Sequence, residues 1–255
     1  MWLGKPFRAC VPPGLLRCPC LGQAGACTHL AGGPGADREA DDVTAGPPDW
    51  KTTMSLADCE IPTGDPLALF GQWYAQACES EPSDANAMTL ATATPDGKPS
   101  ARMVLLKGHD HRGLVFYTNA QSRKGEEIRA NMQAALLFHW KSLRRQIRIE
   151  GPLSEVSAEE ADAYFHSRPR DSQIGSAASD QSRPLPDRQT YLDRIEELAR
   201  LYPEGDVPRP AHWTGFRLRP RRIEFWLDRP NRLHDRRLFQ RVDPHAGWTD
   251  TLLYP

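Results

Sequence analysis

Ala87-Met-Thr-Leu-Ala-Thr-Ala93, then Thr94-Pro95-Asp96-Gly97, then Ser100-Ala-Arg-Met-Val-Leu-Leu-Lys107 reads as strand, turn and strand. Proline presets one corner of a tight turn and glycine tolerates the other, so the flanking runs fold back as a hairpin. Toward the C-terminus the same reading gives strands over 114–119, 134–140 and 146–156, with a helix beginning at Ser122. Ser157 with Glu160 forms a capping box for a helix through Phe165. Tyr191, Ile195, Leu198 and Tyr202 mark one face of another, stopped at Pro203. Strands return over 214–218, 222–227, 236–242 and 248–254. Before the hairpin, Asp65 caps and Pro66 opens a helix whose apolar face runs through Leu69, Phe70, Trp73 and Ala77. The order predicts a mainly β fold, an antiparallel barrel with peripheral helices.

The chain has 255 residues, enough for one sizeable core and an appendage. Its net charge of −1 argues against bulk attraction to nucleic acid or an anionic membrane, so its arginine clusters serve local, small anions. The first fifty-odd residues differ in composition, rich in Pro, Gly and Ala and carrying four of the six cysteines, Cys10, Cys18, Cys20 and Cys27. The expectation there is a disordered leader over 1–53, with Met54 an alternative start, a linker over 54–64, and one domain over 65–255. Prolines and Arg17 interrupt any secretory signal, and no run approaches transmembrane length. Cys18, Cys20, Cys27 and His29 match no standard zinc spacing, so no metal is expected. Cys59 and Cys78 are expected as reduced thiols of a cytoplasmic protein.

Three basic constellations carry the chemistry. Arg232, His234 and Arg236, read as one extended segment, would share a face beyond the aromatic strand Ile223-Glu224-Phe225-Trp226. Two guanidiniums and an imidazole on one face suit a flat, anionic ligand, whereas the plain alternative is a solvated basic edge. Arg102 and Lys107 bracket a buried strand, and Phe116-Tyr117-Thr118-Asn119 runs into Ser122-Arg123-Lys124. With Ser122 as N-cap and Glu126 and Glu127 in the first turn, Arg123 and Lys124 flank free backbone N–H groups, a ready anion site. In Tyr164-Phe165-His166-Ser167-Arg168-Pro169-Arg170-Asp171-Ser172 a tyrosine, an arginine and a serine recur every four residues; its plain alternative is a corner between two helices.

R-M-V-L-L-K (102–107), F-Y-T-N-x-x-S-R-K (116–124), Y-F-H-S-R-P-R-D-S-Q-I-G (164–175), Gln181-Ser182, E-F-W (224–226) and R-L-H-D-R (232–236) together resemble the pyridoxine/pyridoxamine 5′-phosphate oxidases, in order, from about 65 to 255. The resemblance implies an FMN-binding split β-barrel, a homodimer with two flavin sites at its interface. It implies that Arg102, Met103, Val104, Leu105 and Lys107 line the flavin and that Tyr117 and Thr118 support it. Arg123 and Lys124 would hold its phosphate, with Gln146, Gln181, Ser182, Trp226 and Arg236 completing the cradle from both subunits. Lys107, Tyr164, Arg168 and Ser172 would take the substrate's phosphate, while Arg232, Leu233 and His234 close over its ring, Arg232 and His234 being the catalytic candidates.

The implied reaction is oxidation of pyridoxine 5′-phosphate or pyridoxamine 5′-phosphate to pyridoxal 5′-phosphate, with oxygen reduced to hydrogen peroxide. A non-catalytic split-barrel protein that binds flavin or pyridoxal phosphate would need Arg102, Arg123 and Lys124 but not Arg232 and His234; a haem or deazaflavin relative would lack Tyr164, Arg168 and Ser172. Periodicity sets one difficulty, because in a regular strand Arg102 and Lys107 face opposite sides, so joint service needs a bulge, the strand's end or main-chain contacts. The chain departs from the family pattern in three places. Residues 52–63 lack the Arg-x-x-Tyr element that folds over the substrate, Thr214 replaces a usual glycine, and Leu252 replaces a usual arginine.

Overall fold

The computed structural model describes residues 60–243 and 246–255. The leader, its cysteines and His29, Cys59, and most of the 52–63 region lie outside the described residues. Helix α1 (Pro66–Ser80) starts as its sequence dictates: the Asp65 carboxylate accepts from the Leu67 N–H at 2.9 Å and Pro66 fills the first turn. Leu69, Phe70, Trp73 and Ala77 are its buried stripe, and Cys78 on the same helix is half-buried.

The hairpin is β1 (Ala87–Ala93) and β2 (Pro99–Leu105), antiparallel, with Ala87 opposite Leu105 and Ala93 opposite Pro99. The remaining strands are β3 (Gly108–Asp110), β4 (Gly113–Asn119), β5 (Gln133–Trp140), β6 (Arg145–Glu155), β7 (Trp213–Leu218), β8 (Arg222–Leu227), β9 (Asp235–Gln240) and β10 (Thr249–Leu252). Along one path they run β10-β9-β8-β6-β5-β1-β2, every pair antiparallel. The long strand β6 serves twice: its length pairs with β5 and its first half with β8, while Leu153, Ser154 and Glu155 pair with β7, which pairs in turn with β4.

That sharing curls the sheet into a half-barrel. Gly151 sits at the bend, where a Cβ would lie 2.1 Å from the Arg219 carbonyl oxygen, so only glycine lets the chains cross there. Between β2 and β4 the barrel is bridged where the Lys107 N–H reaches the Val115 carbonyl at 2.8 Å. Met88, Leu90, Phe116, Leu136, Phe138, Ile147, Ile149, Phe216 and Phe225 fill the interior, with α1 closing it through Phe70 and Trp73.

Helix α2 (Arg123–Ala130) leaves β4 through Ser122, and three helices, α3 (Ala158–His166), α4 (Arg170–Ala178) and α5 (Arg188–Leu201), sit between β6 and β7. Half of the expected capping box forms: Ser157 Oγ accepts from the Glu160 N–H, but the Glu160 carboxylate pairs instead with Arg217 at 2.7 Å. Phe165, Ile174, Val207 and Trp213 make a second small core, flanked by Ile195, Leu198 and Tyr202 of the α5 face. Helix α4 makes the 164–172 segment a corner between helices, the plain alternative read from its sequence.

The largest correction concerns the Arg232 segment. Pro230–Arg232 is a short 3-10 turn, Asn231 and Arg232 have φ of 58° and 63°, and β9 starts only at Asp235. Arg232, His234 and Arg236 therefore do not share one extended face. Proline at 230 favours a turn, and the two left-handed residues after it reverse the chain before pairing resumes.

Candidate functional site

The first constellation forms around the start of α2. Ser122, fully buried, accepts from the Gly125 N–H as N-cap. Lys124 Nζ donates to Gln181 Oε1 at 2.7 Å, the oxygen that Thr118 Oγ1 approaches at 3.4 Å. Burial, and then the charge of Arg102, pull Lys124 down to about 8. Arg102 reaches inward from β2 to the Leu90 carbonyl at 3.1 Å, to Thr92 Oγ1 at 2.6 Å and to the Glu127 carboxylate at 3.2 Å. Arg123 Nε meets the same carboxylate at 2.9 Å and keeps most of its side chain exposed. Glu127 lies beyond the first turn of α2, where Glu126 alone is acidic, and is buried. Ser182, exposed at φ 74°, follows Gln181.

The second constellation lies beside the first. Tyr117 of β4 stacks on Tyr164 of α3 at 4.0 Å and 15° and on Trp213 of β7 at 5.3 Å and 11°. Gly215 permits this, since a Cβ there would come within 2.7 Å of the Tyr117 ring. Arg168 lies 5.1 Å over Trp213 and donates to the Ser172 carbonyl at 2.9 Å and Ser176 Oγ at 2.8 Å, while its buried Nη1 has no hydrogen-bond partner among the described residues. A buried donor without an acceptor is uncommon and leaves a hydrogen bond open to a ligand or a water.

Burial lowers Lys107, and the nearby Arg168 charge lowers it further against Asp84. The two cations therefore feel each other although 61 positions of sequence order part them. Burial raises Tyr164 to about 12 despite Arg168, and raises Tyr117 too, with Glu160 and Tyr164 adding to it, so both phenols are donors at neutral pH. Ser172 is exposed on the first turn of α4.

The strand's end resolves the Arg102 and Lys107 difficulty. Arg102 and Val104 face inward from β2, Met103 and Leu105 are exposed on the other side, and past Leu105 the chain leaves β1 for β4, carrying Lys107 with it. Side chains of 102–105 thus divide between two faces, and only the main chain of the edge strand β2 could present all four to one ligand.

A third constellation stands apart. Gln146, Trp226 and Arg236 are cross-strand neighbours in one row of β6, β8 and β9. The His234 ring lies 4.6 Å from Trp226, and its Nδ1 is 3.1 Å from the Arg229 N–H and 3.0 Å from the Asp228 carboxylate. Arg236 is held by Glu224 at 2.7 Å and by the Tyr254 carbonyl at 2.9 Å. Leu233 and Arg232 are exposed, and Arg232 makes no hydrogen bond or ion pair among the described residues. Strand β5 separates this row from β1, and no hydrogen bond or ion pair joins it to Lys124 or Arg168 among the described residues.

Sequence reasoning missed the Trp213 stack, the buried role of Glu127 and the Asp228 contact of His234. The first two depend on partners distant in sequence, with only the aromatic character of Trp213 as a signal, whereas Asp228 and His234 are brought together across the Pro230–Arg232 turn. Of the departures, Thr214 is buried in β7, and Leu252 is exposed opposite Arg237 at the end of β10.

A family model described as pyridoxamine 5′-phosphate oxidase matches residues 75–202, and one described as the pyridoxine 5′-phosphate oxidase C-terminal dimerisation region matches residues 213–255. The pyridoxine/pyridoxamine 5′-phosphate oxidase of Erythrobacter litoralis is 65% identical over 202 residues, covering 78% of this chain and 95% of that protein. The protein of the same name from Novosphingobium aromaticivorans is 66% identical over 195 residues, covering 76% and 96%. Among solved structures, PhzG from Burkholderia lata, in complex with tetrahydrophenazine-1-carboxylic acid, aligns with a TM-score of 0.72 at 32% identity, covering 80% of this chain and 98% of that one.

Proposed function

Because this chain belongs to the pyridoxamine 5′-phosphate oxidase family, we propose that it oxidises pyridoxine 5′-phosphate and pyridoxamine 5′-phosphate to pyridoxal 5′-phosphate, using FMN and reducing oxygen to hydrogen peroxide. The observation that carries this reading is the pair of cation-and-hydroxyl clusters that meet on β4. Neighbouring residues there point to opposite sides. Tyr117 joins the Tyr164, Arg168 and Lys107 group, and Thr118 joins Gln181 and Lys124. Two clusters of cations and hydroxyls anchored at adjacent residues suit two separate phosphate groups.

The donors fit FMN at the α2 end. Arg123, Lys124 and Arg102, with Thr118, Gln181 and Ser182, would hold its phosphate end, and the β2 edge with Met103 and Leu105 would flank its ring. When bound, FMN supplies the two-electron acceptor that side chains lack. Lys107, Tyr164, Arg168 and Ser172 would fix the substrate's phosphate, and the partnerless Nη1 of Arg168 gives that set an open donor. Gln146, Trp226, Arg236, Arg232, Leu233 and His234, remote from these groups in one chain, would complete the site from a second copy in a homodimer. The match of residues 213–255 to a dimerisation region supports that pairing. In that arrangement His234 would face the substrate's phenolic oxygen and Arg232 would close over its ring, so that catalysis would rest on orientation and electrostatics.

The presence of Arg232 and His234 favours oxidation over mere storage of a flavin. No helix among the described residues is long and apolar enough to cross a membrane, and we place the enzyme in the cytoplasm. The test is to purify the protein, record a flavin spectrum, and add pyridoxine 5′-phosphate without oxygen. Bleaching supports the oxidase; a bound flavin that stays oxidised would leave a binding protein.

A further inference from the structure

Glu127 accepts from four side chains near the α2 anion site. It is 5% exposed, and both carboxylate oxygens are occupied. Oε1 accepts from Arg123 Nε at 2.9 Å; Oε2 accepts from Arg102 Nη2 at 3.2 Å and from the hydroxyls of Thr92 and Ser100. Thr92 comes from β1, Ser100 and Arg102 from β2, and Arg123 from α2 itself. One carboxylate therefore ties the barrel hairpin to the helix start and fixes two guanidiniums from different elements.

We propose that Glu127 is a positioning residue for the flavin phosphate, holding Arg123 and Arg102 in place before the ligand arrives. The proposal rests on the reading of FMN as cofactor. Burial alone would push this carboxyl up, but hydrogen bonds from Ser100, Thr92, Arg123 and Arg102 outweigh it and hold it at about 2. It thus stays an acceptor throughout the neutral range. Arg123 spends only Nε on Glu127, and its terminal nitrogens remain available beside Lys124. A guanidinium pinned by one edge and open at the other loses less freedom on binding an anion than one that must be ordered at that moment. Glu127 need never touch the flavin to strengthen its binding.

A ligand pair separates this role from a structural one, since riboflavin shares FMN's ring and ribityl chain but lacks the phosphate. Wild type, E127Q and E127L are each stripped of flavin and titrated with FMN and with riboflavin. Wild type is expected to prefer FMN strongly. E127L should lose roughly tenfold or more of that preference, the effect of about one charge-assisted hydrogen bond, with riboflavin affinity nearly unchanged. E127Q should fall between, because its amide oxygen can serve Arg102 while its NH2 group faces Arg123. An E127L that keeps the full preference overturns the proposal. A wild type that does not distinguish the two ligands overturns the phosphate site itself, a different failure. Should E127L not fold, S100A removes one donor from Glu127 and leaves its carboxylate paired. A several-fold loss of preference is then expected, and none would equally overturn the role.

Discussion

The α2 anion site and the Arg232 turn are opposite in construction. Around Glu127 every functional side chain is already tied, Arg102 and Arg123 to a buried carboxylate and Lys124 to Gln181. The Pro230–Arg232 turn has positive φ at two residues, no buried residue, and an Arg232 that touches no polar group among the described residues. The first is preorganised within one chain. The second makes no polar tie at Arg232 among the described residues, which suits the proposed delivery of this segment to another copy's site. On this view, losing the tied site should abolish cofactor binding, and losing the open turn should spare binding and slow chemistry.

The largest effect should come from the double variant R123A/K124A. Each change removes a charge-assisted contact worth about 1.5–3 kcal/mol, so FMN affinity should drop roughly 100-fold or more. The protein should purify colourless with an unchanged far-ultraviolet spectrum, and stoichiometric FMN in the purified variant would refute the assignment.

R232A tests the other side. With no polar contact to lose, it should change stability by less than about 0.5 kcal/mol, retain FMN, and slow flavin reduction at saturating pyridoxine 5′-phosphate. R168A should instead raise the substrate concentration needed for half-maximal reduction, about 10-fold or more for one charged phosphate contact. Stopped-flow reduction separates the two, and a normal saturating rate in R232A would remove it from catalysis.

How much of this contrast was legible in the sequence depends on the range of the forces involved. The Asp65 and Ser122 caps were, because a cap is satisfied by N–H groups two or three residues away. The hairpin and the α5 face were too, for the same local reason. Glu127 was read as a first-turn acid because its partners Thr92 and Ser100 lie 35 and 27 residues away, where no local pattern reaches. Helix α4 stood only as the plain alternative at 164–172, since its buried residues, Gln173, Ile174 and Ala178, make a poor apolar stripe among serines and a glycine. Period-two geometry put Arg232, His234 and Arg236 on one strand face that Pro230 and two left-handed residues interrupt, whereas the motif resemblance assigned Arg232 and His234 to the substrate and Arg236 to the flavin.

A pH series gives a smaller effect and sharpens the tied side of the comparison. Lys124 stands near 8 in the ligand-free fold against 10.5 in the unfolded chain. Between those values the unfolded chain holds more protons, so this group makes the ligand-free protein more stable as pH rises from about 8 to 10.5. Phosphate binding needs the charged amine and has the opposite sign: FMN affinity should weaken as pH rises through about 8. Titrations on either side of that pH in wild type and K124M should show the slope in the first and a flatter profile in the second. An equal slope in both would mean that another group governs it.

The smallest effect should come from removing residues 1–53. A segment rich in Pro and Gly with little apolar periodicity has little surface whose burial could offset its ordering entropy, so a chain beginning at Met54 should bind FMN, dimerise and melt as the full chain does. The boundary should be sharp just beyond it. Ile61 is fully buried, its carbonyl accepts from Arg237 Nε at 2.8 Å, and Glu60 pairs with Arg229 at 3.0 Å beside the Arg232 turn. A chain beginning at Gly64 loses all three contacts, and burial of the isoleucine alone is worth about 1.5–3 kcal/mol. It should therefore melt several degrees lower, and its flavin reduction should slow more than its FMN affinity falls, because Arg229 and Asp235 border the open turn and not the tied site. Equal losses of FMN and of rate would show that the two regions are not independent, and a lower melting temperature on removing 1–53 alone would show that the leader belongs to the fold.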